Sequence, residues 1–157
     1  GLPLAAVVTR EEIAASMEPG DEHSTYAAPP LVMAAAEATL SYFIDNKEAI
    51  LNNVREVGEH ALKLLEELKE RRKLVGDVRG KGLMLGIELV KDKESKKPAR
   101  EETVQLCFDK ALKRGLLLAT SGWYGNVIRF APPLTVSKEE IERAVQIIDE
   151  SLGEIES

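Results

Sequence analysis

Seven apolar residues at helical spacing, Ile50, Val54, Val57, Ala61, Leu64, Leu65 and Leu68, constrain the fold more than any other feature of this chain. They recur at three- and four-residue steps across roughly six turns, the period of one helix face. The opposite face carries Arg55, Glu56, Glu59, Lys63, Glu66, Glu67 and Lys69. A helix of this kind puts one face on a core and the other in water. The remainder of the chain has to build that core.

The segments that follow read as its other parts. Val75 to Arg79 and Gly82 to Val90 are predicted strands. The second alternates Leu83, Leu85, Ile87 and Leu89 with Met84, Gly86, Glu88 and Val90, so it is expected to be covered on both faces or nearly so. A helix is predicted over Arg100 to Arg114, with Val104, Cys107, Phe108 and Ala111 inward and Gly115 ending it. Leu116 to Ala119 reads as a short apolar strand. Thr120 to Gly125 is a hairpin connection in which Trp123 and Tyr124 are expected to pack. Ser137-Lys138-Glu139-Glu140 is a capping box that opens the last helix, with Ile141, Ala144, Val145, Ile148 and Leu152 on its apolar side. The fold class is α/β (α+β), with a mostly antiparallel sheet of three or four strands and helices on one face.

Ahead of the long helix the pattern is less regular. Leu4 to Thr9 reads as a buried strand, and Arg10 to about Met17 as a short helical stretch. After a loop, an alanine-rich helix is predicted over Leu31 to Ile44, with Pro30 in its first turn. Its alanines imply close packing. The apolar opening, Leu2 to Val8 without a methionine before it, leads us to expect a piece of something longer, because a buried strand needs neighbours.

Asn126 to Leu134 carries the candidate chemistry. Side chains alternate along a strand, so Arg129 shares a face with Val127, and Pro132 and Pro133 stop the strand directly afterwards. The guanidinium fork matches a carboxylate bidentately. Two readings stand on residue type alone: Arg129 grips an acidic substrate, or it pairs with a neighbouring Glu or Asp.

Composition narrows the function classes. The chain has 157 residues, a net charge of −6 and one cysteine. The acidic balance and scattered basic residues argue against a nucleic-acid surface. No apolar run approaches the roughly 20 residues that span a bilayer. No nucleic-acid or membrane partner is expected, and a cytoplasmic location is. A single cysteine excludes an internal disulfide and a cysteine-built zinc site, and no metal site is expected. Cys107 itself reads as a buried structural thiol.

Three segments in this order resemble the carboxy-terminal part of the class III aminotransferases, a pyridoxal-phosphate family of fold type I that includes 4-aminobutyrate, ornithine and acetylornithine aminotransferases. They are Gly1 to Val8; Asp77 to Glu88; and Gly115-Leu116-Leu117 joined to Tyr124 to Arg129 and Pro132-Pro133-Leu134. The resemblance implies a fold-type-I transferase in which residues 1–45 end the large cofactor-binding domain, with its connecting helix. Residues 46–157 would form the small carboxy-terminal domain. It implies that Arg129 holds the substrate α-carboxylate, and that Ser24 and Thr25 help to bind the phosphate of pyridoxal 5'-phosphate, Thr25 reaching that of the neighbouring subunit of a homodimer. Ala27, Ala28 and Pro29 stand where the family commonly has Gly-Gly-Asn, and alanine enters positive φ far less readily than glycine. His23 stands where glycine is common and is assigned no role.

The function implied is transfer of an amino group from an amino acid or ω-amine to a 2-oxo acid. The family's Schiff-base lysine is expected about five residues before Gly1, so no catalytic residue is expected within this chain. The isolated chain is expected neither to retain pyridoxal phosphate at micromolar concentration nor to transaminate. A visible absorption band that survives dialysis and disappears on replacing one lysine would contradict this. The alternatives are a pyridoxal-phosphate racemase of the same family, or a stand-alone non-catalytic α+β interaction module whose Leu2 to Val8 surface and alanine-rich helix are covered by a partner.

Overall fold

The computed structural model describes residues 2–21, 24–25 and 28–157. The chain divides into two compact units, Gly1–Lys47 and Glu48–Ser157.

In the first unit, α1 (Glu11–Ala14) is a single turn and α2 (Pro30–Asp45) is a 16-residue helix. Pro30 occupies the first turn of α2, where a missing N–H costs nothing. Asn46 ends it, with both its backbone N–H and its side-chain amide donating to the Tyr42 carbonyl. The predicted strand at Leu4 to Thr9 is not formed. Residues 2–10 have no regular structure, and Val7 and Val8 are 93% and 94% exposed. A lone extended segment has no ladder to join, and no strand of the unit's described residues offers one. The alanine-rich helix likewise buries none of its residues, against the close packing expected of it.

The second unit has the core that the long helix requires. It follows α3 (Lys47–Arg71) with β1 (Val75–Lys81), β2 (Met84–Leu89), α4 (Glu101–Lys113), β3 (Ala119–Ser121), β4 (Val127–Phe130) and α5 (Lys138–Glu156). The four strands form one sheet in the order β1-β2-β4-β3, every neighbour antiparallel. Val78, Leu85, Ile87, Ile128 and Phe130 point inward. They form one apolar cluster with Val57, Ala61, Leu65 and Leu68 of α3, Val104 and Cys107 of α4, and Ile141, Val145, Ile148 and Leu152 of α5. The helices cover one face, as expected. Ser137 accepts from the Glu140 N–H while Glu140 accepts from the Ser137 N–H, completing the capping box.

Three expectations fail here, the first of them in part. The second face of the predicted Gly82 to Val90 strand is covered only in part: Met84 is 73% exposed and Gly86 and Glu88 are half-buried, while Val90 is buried. Leu116 to Leu118 is not strand, and pairing begins only at Ala119, opposite Arg129. Continuing that register would set Leu116 against Pro132, which has no N–H to donate. Trp123 and Tyr124 do not pack but stand 94% and 72% exposed, because the turn from Gly122 to Gly125 carries them clear of the sheet.

The β1–β2 turn fixes the position of the outer sheet face. Lys81 pairs with Met84, leaving Gly82 and Leu83 as the two turn residues, and Gly82 has φ +56° at the first of them. Primed hairpin turns need that conformation, which glycine adopts without a steric penalty. The turn also lies directly against α3. A Cβ at Gly58 would fall 2.6 Å from the Gly82 carbonyl carbon and oxygen.

Candidate functional site

The candidate site of the second unit is built on the sheet face that the helices leave open. Antiparallel partners project to the same side. One row across the sheet is therefore Arg79, Gly86, Arg129 and Ala119, and the next is Asp77, Glu88, Val127 and Ser121. Arg129 is exposed, while the residues beside it on β4, Ile128 and Phe130, are buried on the other face. The backbone of Arg129 is thus held by a ladder on each side, and its side chain alone is free to meet a ligand. Among the described residues no carboxylate lies within ion-pair distance of its guanidinium.

Arg129 also lines an open concavity of about 550 Å³ at the end of β4, whose apolar walls include Met84, Leu117 and Pro132. Leu117 is 82% exposed on its rim. Glu140 also lines the concavity, its carboxylate accepting from the Ser137 N–H; with one cation at its edge, the groove suits a small molecule bearing a carboxylate on a short apolar body.

The other arginine of the row behaves differently. Arg79 Nη1 donates to Asp77 Oδ2 at 2.7 Å and to Glu88 Oε2 at 2.6 Å. Its bond to Asp77, then its bond to Glu88, raise the guanidinium's pKa further above neutrality. The sequence alone assigns these three residues no role. The signal present was Asp77 two residues before Arg79, on the same side of a strand. Glu88 comes opposite only through the register of β2. Gly86 lies between the two arginines and places no side chain there, and a Cβ on it would come within 3.2 Å of Val127 Cγ1.

Ser24 and Thr25 lie in the first unit, both exposed, in the loop that leads to α2. Ser24 lines an open concavity of about 1360 Å³ with Pro3, Leu4, Met33 and Leu40 among its apolar walls. Ala28, in the same loop, has φ +43°. An alanine therefore adopts the left-handed conformation where the resembled sequences commonly carry glycine, at a cost of about 1–2 kcal/mol. His23 and Ala27 lie outside the described residues. Arg129 and the Ser24–Thr25 pair thus belong to different units.

Cys107 is fully buried on α4, as predicted, and burial pushes its thiol up to about 11. It is no nucleophile. No group of three or more His, Cys, Asp or Glu among the described residues is arranged to hold a metal ion, and no described helix is long and apolar enough to cross a membrane.

Comparison with known proteins agrees with the fold. The alanine/serine racemase of Pyrococcus horikoshii is 45% identical over 97% of this chain and 31% of its own length. An acetylornithine aminotransferase of Clostridium acetobutylicum is 39% identical over 97% of this chain and 36% of its own. Among solved structures, an amine transaminase from an uncultivated Pseudomonas species, in its PLP-bound form, superimposes with a TM-score of 0.73 at 32% identity. It covers 86% of this chain and 30% of that one. The chain therefore spans about a third of the length of the relatives it matches. The family described as aminotransferase class-III matches residues 1–152, and the chain belongs to that family.

Proposed function

We propose that this chain is the carboxy-terminal portion of a pyridoxal-phosphate-dependent aminotransferase that moves an amino group from an amino acid or ω-amine to a 2-oxo acid. The observation that carries this reading is Arg129: an exposed guanidinium with no carboxylate partner among the described residues, fixed by two strand ladders at the edge of an apolar groove. In this role Arg129 grips the substrate carboxylate with paired N–H donors and orients the α-carbon, a geometry a lysine would not reproduce. Residues 1–45 are then the end of the large domain with its connecting helix, and residues 46–157 the small domain. The division of the chain next to Lys47 supports that boundary.

The residues present fit one end of the cofactor. Ser24 and Thr25 would offer hydroxyls to its phosphate in a loop preceding a helix, but the concavity that Ser24 lines is also lined by Glu37 and, among the described residues, by no lysine or arginine. When bound, the cofactor supplies the electron sink that makes the substrate α-proton removable. Two hydrogen bonds to a charged group are worth about 1.5–3 kcal/mol each. Association costs about 4–15 kcal/mol, so for residues 1–157 alone the balance is near zero or unfavourable, and weak or no retention of the cofactor is expected. The lysine that moves the proton lies before Gly1 on this reading. A homodimer and a cytoplasmic location complete it.

A racemase of the same family is the second reading, favoured by the higher identity to the Pyrococcus horikoshii enzyme. In the full-length protein, a stoichiometric yield of one oxo acid per site from an amino donor alone identifies a transaminase, and its absence a racemase. Arg129 serves either reaction. Arg129→Gln in the full-length protein is expected to lower kcat/KM at least about tenfold for α-amino acids, the loss of one charge-assisted bond, and to spare amines that carry no carboxylate. Equal losses for both substrate classes would refute the assignment.

A further inference from the structure

On the open sheet face, Glu88 is a diagonal neighbour of Arg129. It stands opposite Val127, and Arg129 follows two residues along the same strand. Diagonal cross-strand neighbours have Cβ atoms roughly 7–8 Å apart, within the combined reach of a glutamate and an arginine. Nothing stands in the row between Arg129 and Arg79 except Gly86, which has no side chain. Glu88 is thus placed to close an ion pair with Arg129 and fill the position a substrate carboxylate would take. It is instead turned the other way, across the sheet, to Arg79 Nη1 at 2.6 Å. The same nitrogen also binds Asp77 at 2.7 Å. Asp77 also has Lys69 Nζ at 3.9 Å, whereas Glu88 has Arg79 as its one ion-pair partner among the described residues.

We propose that Arg79 is a positioning residue: by holding Glu88, and secondarily Asp77, it keeps an internal carboxylate off Arg129 and leaves the latter open to substrate. The inference rests on Arg129 being the carboxylate site. Removing the Arg79 charge frees Glu88 to swing to the only other guanidinium in its two rows. The site is then inhibited by its own chain, in competition with the substrate. An exposed pair of this kind is worth little, so the inhibition is modest.

The test uses four variants of the full-length protein, Arg79→Gln, Glu88→Gln, the double variant and Arg129→Gln. They are assayed with L-alanine and 2-oxoglutarate and by crystallography. Arg79→Gln is expected to raise KM for both substrates about two- to fivefold at nearly unchanged kcat, an effect that shrinks at high ionic strength. The double variant is expected to return KM to near the wild-type value, because no carboxylate remains to compete. In the Arg79→Gln crystal, Glu88 is expected within 4 Å of the Arg129 guanidinium; this readout needs no turnover. The proposal is overturned if Glu88 stays away from Arg129 in that crystal, or if the double variant remains as impaired as Arg79→Gln. An unchanged KM in Arg79→Gln alongside a raised KM in Arg129→Gln overturns this inference alone. An unchanged KM in Arg129→Gln overturns the carboxylate assignment beneath it.

Discussion

Replacing Gly58 by alanine isolates the contact that sets the register of the outer face. Gly58 is buried on α3, and a Cβ there would meet Gly82 backbone at 2.6 Å to the carbonyl carbon and oxygen and 2.7 Å to Cα. Ordinary contact begins near 3.4 Å, so helix and turn must separate by about 0.8 Å. The obstacle is backbone at a turn residue held at positive φ, not the flexible end of a side chain. Overpacking of this kind costs about 1–3 kcal/mol. Against it, alanine is favoured over glycine within a helix by about 0.8–1 kcal/mol. The clash outweighs propensity over most of its range, and the expected net effect is a destabilisation of up to about 2 kcal/mol. At this chain length that is up to about 8 °C in Tm. Urea unfolding followed by circular dichroism, at equal m-value, measures it. Stabilisation by about 1 kcal/mol, as at an exposed helical glycine, would mean that α3 and the β1–β2 turn do not touch as described. Because that turn fixes the register of Arg79, Gly86 and Glu88, the same variant should also weaken the response of Arg129 to carboxylates.

Two more outcomes follow from local chemistry. The Cys107 thiol, raised by burial from 9.0 to about 11, contributes stability that is complete below about pH 9 and is lost as pH rises through about 11, up to about 2–3 kcal/mol. The stability gap between wild type and Cys107→Ala should narrow across that window, and a pH-independent gap would refute the burial argument. Ala28→Gly should stabilise the chain by about 0.5–1 kcal/mol, relief of the left-handed alanine less the added chain entropy of glycine. A destabilised variant in the same urea titration would show that Ala28 does not hold φ +43°.

Much of the architecture was legible because it is local. The three- and four-residue period of Ile50 to Leu68 specifies α3 and its inward face whatever it packs on. Ser137 and Glu140 announce the start of α5 through bonds between residues three apart. Pro132 and Pro133 stop β4 just past Arg129 by lacking a donor. The resemblance to the class III aminotransferases rests on three segments in order, Gly1 to Val8, Asp77 to Glu88, and Gly115-Leu116-Leu117 joined to Tyr124 to Arg129 and Pro132-Pro133-Leu134.

What the tertiary structure decided is nonlocal. The order β1-β2-β4-β3 depends on which strands find each other across long stretches of chain, and no period within a strand encodes that. The alternation of β2 implied two covered faces, but whether a face is covered depends on what else packs there. Leu116 to Leu118 were apolar enough for a strand and failed for want of a partner with a donor. Leu4 to Thr9 failed for want of any neighbour. The clearest case is Glu88. By sequence it is a polar residue on a strand, and only the register sets it diagonal to Arg129 and within reach of Arg79, since electrostatic partners are chosen by distance in space.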